Sequence, residues 1–147
     1  MVNNKFFEEM EFKVEFYDVD PMNVVWHGNY VKYFEKIRCA LLKKIGYDYL
    51  EMKDSGFAFP VTSVSLKFIS SFSYGDTVRA RAFLSEYQNC IKLKYELYNS
   101  KTGMLCTKGE STQMVFNMQT NKSSFVCPDI FIGRVEEWKR QKMGEVK

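Results

Sequence analysis

The chain has 147 residues, 21 Lys+Arg against 18 Asp+Glu, and a net charge of +3 with its single His neutral. At roughly 100–200 residues per domain this is one domain, residues 1–147, and 46% hydrophobic with 27% charged residues excludes a disordered or collagen-like chain. The positive charges form no block, which counts against a nucleic-acid partner, and no apolar run nears the ~18–20 residues of a membrane span.

The first residues, Met1 to Glu9, carry acids where a signal peptide carries its apolar stretch, so a cytoplasmic location is expected. Glu11 to Tyr17 alternates polar and apolar, the period of a half-buried strand, and Pro21 cannot donate to a ladder beyond it. From Asn29 the period changes. Tyr30, Phe34, Ile37, Leu41 and Ile45 fall three or four apart, with Lys32, Glu35, Lys36, Lys43 and Lys44 opposite. This spacing predicts an amphipathic helix of four to five turns, ended by Gly46 as a left-handed cap. A shorter helical turn is expected from Asp48 to Asp54, before Gly56.

Residues from Phe59 to Phe125 read as strand. Val61 to Phe68, Val78 to Leu84 and Ile91 to Tyr98 each alternate, and a last run extends from Met104 to Asn117. The turns carry Gly75-Asp76, Gln88-Asn89 and Asn99 to Gly103, short enough for antiparallel neighbours. A terminal helix is expected from Asp129 to Lys142. A sheet of this kind must cover its apolar face, and the long helix is the available cover. The fold class is therefore α+β, an antiparallel sheet wrapped around one long helix.

Cys39, Cys90, Cys106 and Cys127 are widely spaced in apolar or strand-like sequence and read as buried, reduced thiols. With one His and no close Cys pair, no metal site is expected.

The densest cluster of chemical groups runs from Tyr17 to Tyr30, where two carboxylates, the only His and a helix N-terminus fall within a dozen residues. Peptide N–H groups at a helix start lack intrahelical partners and carry the positive end of the dipole, so they can hold a carbonyl oxygen or developing oxyanion. A nearby carboxylate can serve as nucleophile or as general base. Blander roles remain open at this point: Asp18 or Asp20 as a turn cap before Pro21, Asn23 as a left-handed turn residue, Trp26 and Tyr30 as core or interface. Glu35 and Arg38, three apart, most simply make a helical surface pair.

Asp18-Val-Asp20-Pro-Met-Asn23-Val-Val25-Trp26-His27-Gly28-Asn-Tyr30, continuing through Tyr33-Phe34-Glu35-Lys36-Ile-Arg38 to Gly46, resembles the signature of hotdog-fold acyl-CoA thioesterases. Most similar is the 4-hydroxybenzoyl-CoA thioesterase-like branch, which includes the Tol–Pal-associated thioesterases. Phe59-Pro60-Val61 and Tyr74-Gly75-Asp76-Thr77-Val78 also match strand starts of that family. The resemblance implies Asp20 and His27 as catalytic residues, His27 offering its backbone N–H to the thioester carbonyl. Asp18 becomes a supporting residue, and Asn23, Val25, Trp26, Gly28, Tyr30, Phe59 and Pro60 become substrate-binding positions. Asn23 stands where the family usually has Gly; Asn is the next best residue for a positive φ. No Arg/Lys cluster surrounds the Glu86 to Lys92 turn, where some relatives grip CoA phosphates, and Lys92, Lys94 or Arg79 stand as substitutes.

The implied activity is hydrolysis of an acyl thioester of CoA, with acyl carrier protein as the second choice, and no cofactor. Because hotdog sites usually form between subunits, a homodimer or homotetramer is expected. The alternatives are a hotdog hydratase or dehydratase, which needs a His base rather than an Asp-x-Asp loop, and a non-catalytic acyl-thioester-binding module, which needs no carboxylate.

Overall fold

In a computed structural model, described here for residues 6–145, the chain opens with strand β1 (Phe7–Lys13). The expected strand over Glu11 to Tyr17 is thus displaced toward the N-terminus. Lys13 pairs with Thr77, the first residue of β4, and one further bond, from the Val14 N–H to the Asp76 carbonyl at 2.9 Å, closes the pairing. The chain instead enters a 3₁₀ turn, Phe16–Asp18, in which the Glu15 N–H donates to Asp18 Oδ2 at 2.9 Å. A local side-chain acceptor has replaced the strand ladder.

Helix α1 (Asn29–Ile45) forms as the periodicity predicts, and Gly46 caps it at φ 88°. Helix α2 (Tyr49–Ser55) follows, with the Asp48 side chain accepting from the N–H groups of Leu50 and Glu51. After the short strand β2 (Phe57–Ala58) come β3 (Val61–Phe68), β4 (Thr77–Glu86), β5 (Ile91–Asn99) and β6 (Leu105–Gln113). The run expected to continue to Asn117 breaks at Met114. Strand β7 (Val115–Asn117) leaves the main sheet and pairs with β2 and β8 (Lys122–Ser124) in a separate three-stranded sheet. Helix α3 (Asp129–Glu145) ends the described chain.

The main sheet has the order β1-β4-β5-β6-β3, all antiparallel neighbours. Its inward residues, Val78, Ala80 and Ala82 on β4 and Ile91, Leu93, Tyr95 and Leu97 on β5, pack with Tyr30, Tyr33, Phe34, Ile37 and Leu41 of α1 in one core. What lets the helix come so close to β6 is Gly109. A Cβ at that position would lie 2.3 Å from the Phe34 ring, which stacks on Tyr95 at 4.3 Å. Helix α3 packs beside α1; its Trp138 indole donates to Glu8 at 2.8 Å, and Arg134 donates to the Gly46 carbonyl at the end of α1. Of the cysteines, Cys90, Cys106 and Cys127 are buried as expected, but Cys39 is exposed. It falls on α1 two residues after Ile37, off the core-facing stripe.

Candidate active site

The loop between β1 and α1 is built from two carboxylates with different duties. Asp18 is a hub. Its Oδ2 accepts from the Glu15 N–H and from the Tyr33 hydroxyl, both at 2.9 Å, and its carbonyl accepts from the Trp26 N–H at 3.0 Å and Asn29 Nδ2 at 2.8 Å. Burial, with the Tyr33 hydroxyl donating to the Asp18 carboxylate, pushes the Tyr33 phenol well above the ordinary tyrosine range.

Asp20 closes a tight turn. Its Oδ1 accepts from the N–H of Met22 at 2.8 Å and of Val24 at 3.4 Å, while its backbone pairs with Val24 and Asn23. Pro21 supplies the fixed φ at the start of the turn, and Asn23 adopts φ 61°. The three residues between Asp20 and Val24 are closed by the Asp20 N–H bond to the Val24 carbonyl and flanked by a Val19–Val25 bridge. Among the described residues, Asp20 Oδ2 has no hydrogen-bond partner, and the carboxylate is half-buried. Asn23 keeps the left-handed turn and spends its Oδ1 on the Tyr74 N–H at 3.3 Å.

The helix start lies just beyond. Trp26 folds its ring over Gly28, where a Cβ would come within 2.2 Å of it, and tilts against His27 at 5.0 Å between centroids. Both Trp26 and His27 are exposed. Among the described residues, the N–H groups of His27 and Gly28 have no acceptor, whereas Asn29 donates to the Trp26 carbonyl at 2.9 Å. These free amides at the positive end of a 17-residue helix suit an oxyanion.

Asp20, Asn23, Trp26, His27 and Gly28 lie in the one loop that leads into α1, with Asn23, Trp26 and His27 exposed and Asp20 and Gly28 half-buried. Val25 and Tyr30 go elsewhere. Val25 is buried and donates to the Phe72 carbonyl, and Tyr30 is 2% exposed, packed against Tyr33, Phe68 and Phe72. Phe59 and Pro60 line a separate cavity of about 710 Å³, walled by α1 through Arg38, Cys39 and Leu42, by α2 through Met52, and by Gln113 of β6. None of the residues from Asp18 to Tyr30 lines it. Sequence reading did not single out Gln113, and took Cys39 only as a buried thiol. The signal was present in the inward parity of β6: Thr107, Gly109, Ser111 and Gln113 form a polar stripe on a face that should be apolar. Lys92, Lys94 and Arg79 lie on the opposite, outward face of the sheet, away from α1. No group of three or more metal-ligating side chains occurs among the described residues, and no described helix is long and apolar enough to cross a membrane.

Compared with known proteins, residues 14–138 match the family model of the thioesterase-like superfamily. The chain belongs to this superfamily. This thioesterase-like chain is 27% identical to a putative acyl-CoA thioesterase, YneP of Bacillus subtilis, over 113 residues, 76% of this chain and 81% of that one. It is 30% identical to the putative esterase sll0410 of Synechocystis over 125 residues, 82% and 73% of the two chains. The solved DHNA-CoA thioesterase of Staphylococcus aureus superposes with a TM-score of 0.78 at 26% identity, covering 95% of this chain and 92% of that chain. A 4-hydroxybenzoyl-CoA thioesterase solved with 4-hydroxybenzoyl-CoA shares the fold, with a TM-score of 0.76 at 17% identity, over 88% and 98% of the two chains. The sheet wrapped around α1 is the hotdog fold.

Proposed function

We propose that this thioesterase-like protein hydrolyses acyl-CoA thioesters at the loop between β1 and α1. The observation that carries the reading is the Asp20 carboxylate, bonded through Oδ1 to amides of its own turn alone, in the loop that leads into a helix start with free amides, whereas the Asp18 carboxylate is tied to Tyr33. The thioester carbonyl oxygen takes the N–H groups of His27 and Gly28, which stabilise the charge that develops on it. Asp20 either attacks the carbonyl carbon, expelling CoA thiolate and leaving an acyl anhydride for water to cleave, or takes a proton from the water that attacks. The His27 imidazole, exposed beside the same amides, assists at the thioester. Asn23, Trp26 and Gly28 border the reacting group.

The site is completed by a second copy of the chain. Strand β3 is one of the two edges of the sheet, the other being β1, and its residues are nearly all exposed, among them Val61, Val64 and Phe68. An open apolar edge of eight residues is an aggregation hazard unless paired. At one end of β3, Phe68 contacts Tyr30 at the start of α1; the other end follows Phe59 and Pro60 at the cavity. Antiparallel pairing of two β3 edges about a two-fold sets the cavity end of one chain beside the His27 end of its partner. That arrangement supplies each Asp20 with an acyl pocket from the partner, in a homodimer or in a tetramer of two such dimers.

A panel of aromatic, short-chain and long-chain acyl-CoAs, with released thiol read by a chromogenic disulfide, tests the activity. Hydrolysis of none of them, or undiminished hydrolysis after Asp20→Asn, overturns it. A fully active monomer in light scattering at micromolar concentration overturns the shared site.

A further inference from the structure

The cavity behind Phe59 and Pro60 has one feature that an apolar pocket does not need. Its buried lining is made by Leu42, Met52, Phe59 and Gln113. Gln113 is 4% exposed and sits on the inward face of β6, in register with Ile91 on one side and Val61 on the other. Its Nε2 donates to the Phe59 carbonyl at 2.9 Å, which fixes the amide orientation. The other end of the amide, Oε1, is buried with no donor among the described residues. Two further buried side-chain atoms among the described residues lack a hydrogen-bond partner, Arg79 Nε and Thr107 Oγ1, and neither residue lines this cavity.

A buried carbonyl oxygen without a donor loses the hydrogen bonds it would make in water, whereas a leucine of similar volume would cost nothing there. The amide is therefore a poor choice for a pocket that holds a plain hydrocarbon. It is a good choice for one whose occupant brings its own donor. We propose that Gln113 is a specificity residue of this pocket, accepting a hydrogen bond from a hydroxyl on the acyl group, so that hydroxylated acyl thioesters are selected over their deoxy counterparts. The inference rests on the acyl-thioester reading above. Met52, an unbranched thioether on the same lining, can rotate to admit the hydroxyl. The remaining wall, Leu42, Phe59 and Phe116, accepts an aromatic ring or an alkyl chain equally, so the shared chemistry is the hydroxyl rather than the scaffold that bears it.

Two matched pairs separate these sources: 4-hydroxybenzoyl-CoA against benzoyl-CoA, and 6-hydroxyhexanoyl-CoA against hexanoyl-CoA. Calorimetric binding to the Asp20→Asn protein reads the pocket without turnover, and kcat/KM of the unaltered protein reads it with turnover. In at least one pair the hydroxylated member should be favoured on the order of 10- to 100-fold in both. Gln113→Leu, or Gln113→Met if the first variant is unstable, should shrink that ratio to within about threefold, since neither side chain can accept the bond. Equal affinities in both pairs, or a preference that survives Gln113→Leu, overturns the assignment. A preference in binding without cleavage by the unaltered protein keeps Gln113 and overturns the hydrolytic reading. Binding of no member of either pair overturns both.

Discussion

The Tyr33 hydroxyl donates to Asp18 Oδ2 at 2.9 Å, and this bond ties the second turn of α1 to the loop that carries Asp20. Asp18 is thereby tied to the helix as well as to its own loop, while the Asp20 carboxylate, two residues on, bonds only to amides of its own turn. The division of labour between the two carboxylates follows from these partners.

Asp20→Asn keeps an oxygen to accept from Met22 and Val24 but can be neither nucleophile nor base. Its kcat should fall on the order of 10²-fold or more with little change in KM and in Tm. Asp18→Asn and Tyr33→Phe should behave the other way, losing about 1–2 kcal/mol of stability with smaller effects on kcat. Steady-state kinetics and thermal melts of the three variants check this; near-normal kcat in Asp20→Asn sinks the mechanism.

Two glycines are kept free of side chains by aromatic rings, with different expected outcomes. At Gly109 an added Cβ meets the Phe34 ring at 2.3 Å and the Ser65 carbonyl at 2.9 Å, inside a packed core. Gly109→Ala should cost about 1–3 kcal/mol. At Gly28 the clash is with the half-exposed Trp26 ring, which can swing aside. Gly28→Ala should melt near the parent temperature and lose activity, because the ring that borders the amides has moved. Differential scanning calorimetry and kinetics together distinguish the two.

The cysteines should react in two classes, set by exposure. Burial pushes the Cys127 thiol up to about 12 and raises Cys90 and Cys106 above their ordinary value. The thiolate is the reactive form, so these three should resist a chromogenic disulfide at pH 8 until the chain unfolds. Exposed Cys39, on the cavity wall, should react at once. Modification by a bulky thiol reagent should then block hydrolysis, and Cys39→Ser should protect against it. Mass spectrometry locates the adduct; full activity in the modified protein would remove the cavity from the reaction.

Alkaline stability has a direction set by buried phenols. Burial raises Tyr95 to about 12, against a smaller opposing effect of its bond to Ser111, and burial together with Glu136 raises Tyr87 to about 12. Between the ordinary tyrosine value of about 10 and 12 the folded chain binds more protons than the unfolded one. Stability is then full below pH of about 10 and falls as pH rises toward 12. Far-ultraviolet dichroism and phenolate absorbance, followed together, should show these phenols ionising only as the chain unfolds. Their ionisation in the folded protein would contradict the burial.

Chelation gives the last expectation. Asp20 and the helix amides need no metal, so EDTA should leave hydrolysis unchanged; loss of activity with recovery on adding zinc would overturn the assignment of the site.

Much was legible in the sequence because its causes are local. The three-to-four spacing from Tyr30 to Ile45 and the Gly46 cap determined α1 to the residue, and alternation determined β4 and β5, since each pattern reflects which side of one element meets the core. The Asp-x-Asp loop and helix start were legible for the same reason: Pro21, Asn23 and Gly28 each meet a backbone or contact demand within a few residues. The structure decided what depends on distant partners. Glu11 to Tyr17 alternates well, yet β1 stops at Lys13: pairing ends with the Val14 bond to Asp76, and Asp18 reaches back to take the Glu15 N–H. Met104 to Asn117 reads as one run, yet β7 departs to pair with β2. Which of Asp18 and Asp20 is tied to the helix turned on Tyr33, fifteen residues from Asp18 along the chain. Gln113 acquired its place beside Phe59, 54 residues earlier, only through the sheet order, because side-chain alternation assigns a residue to a face and long-range pairing decides what lies across from it.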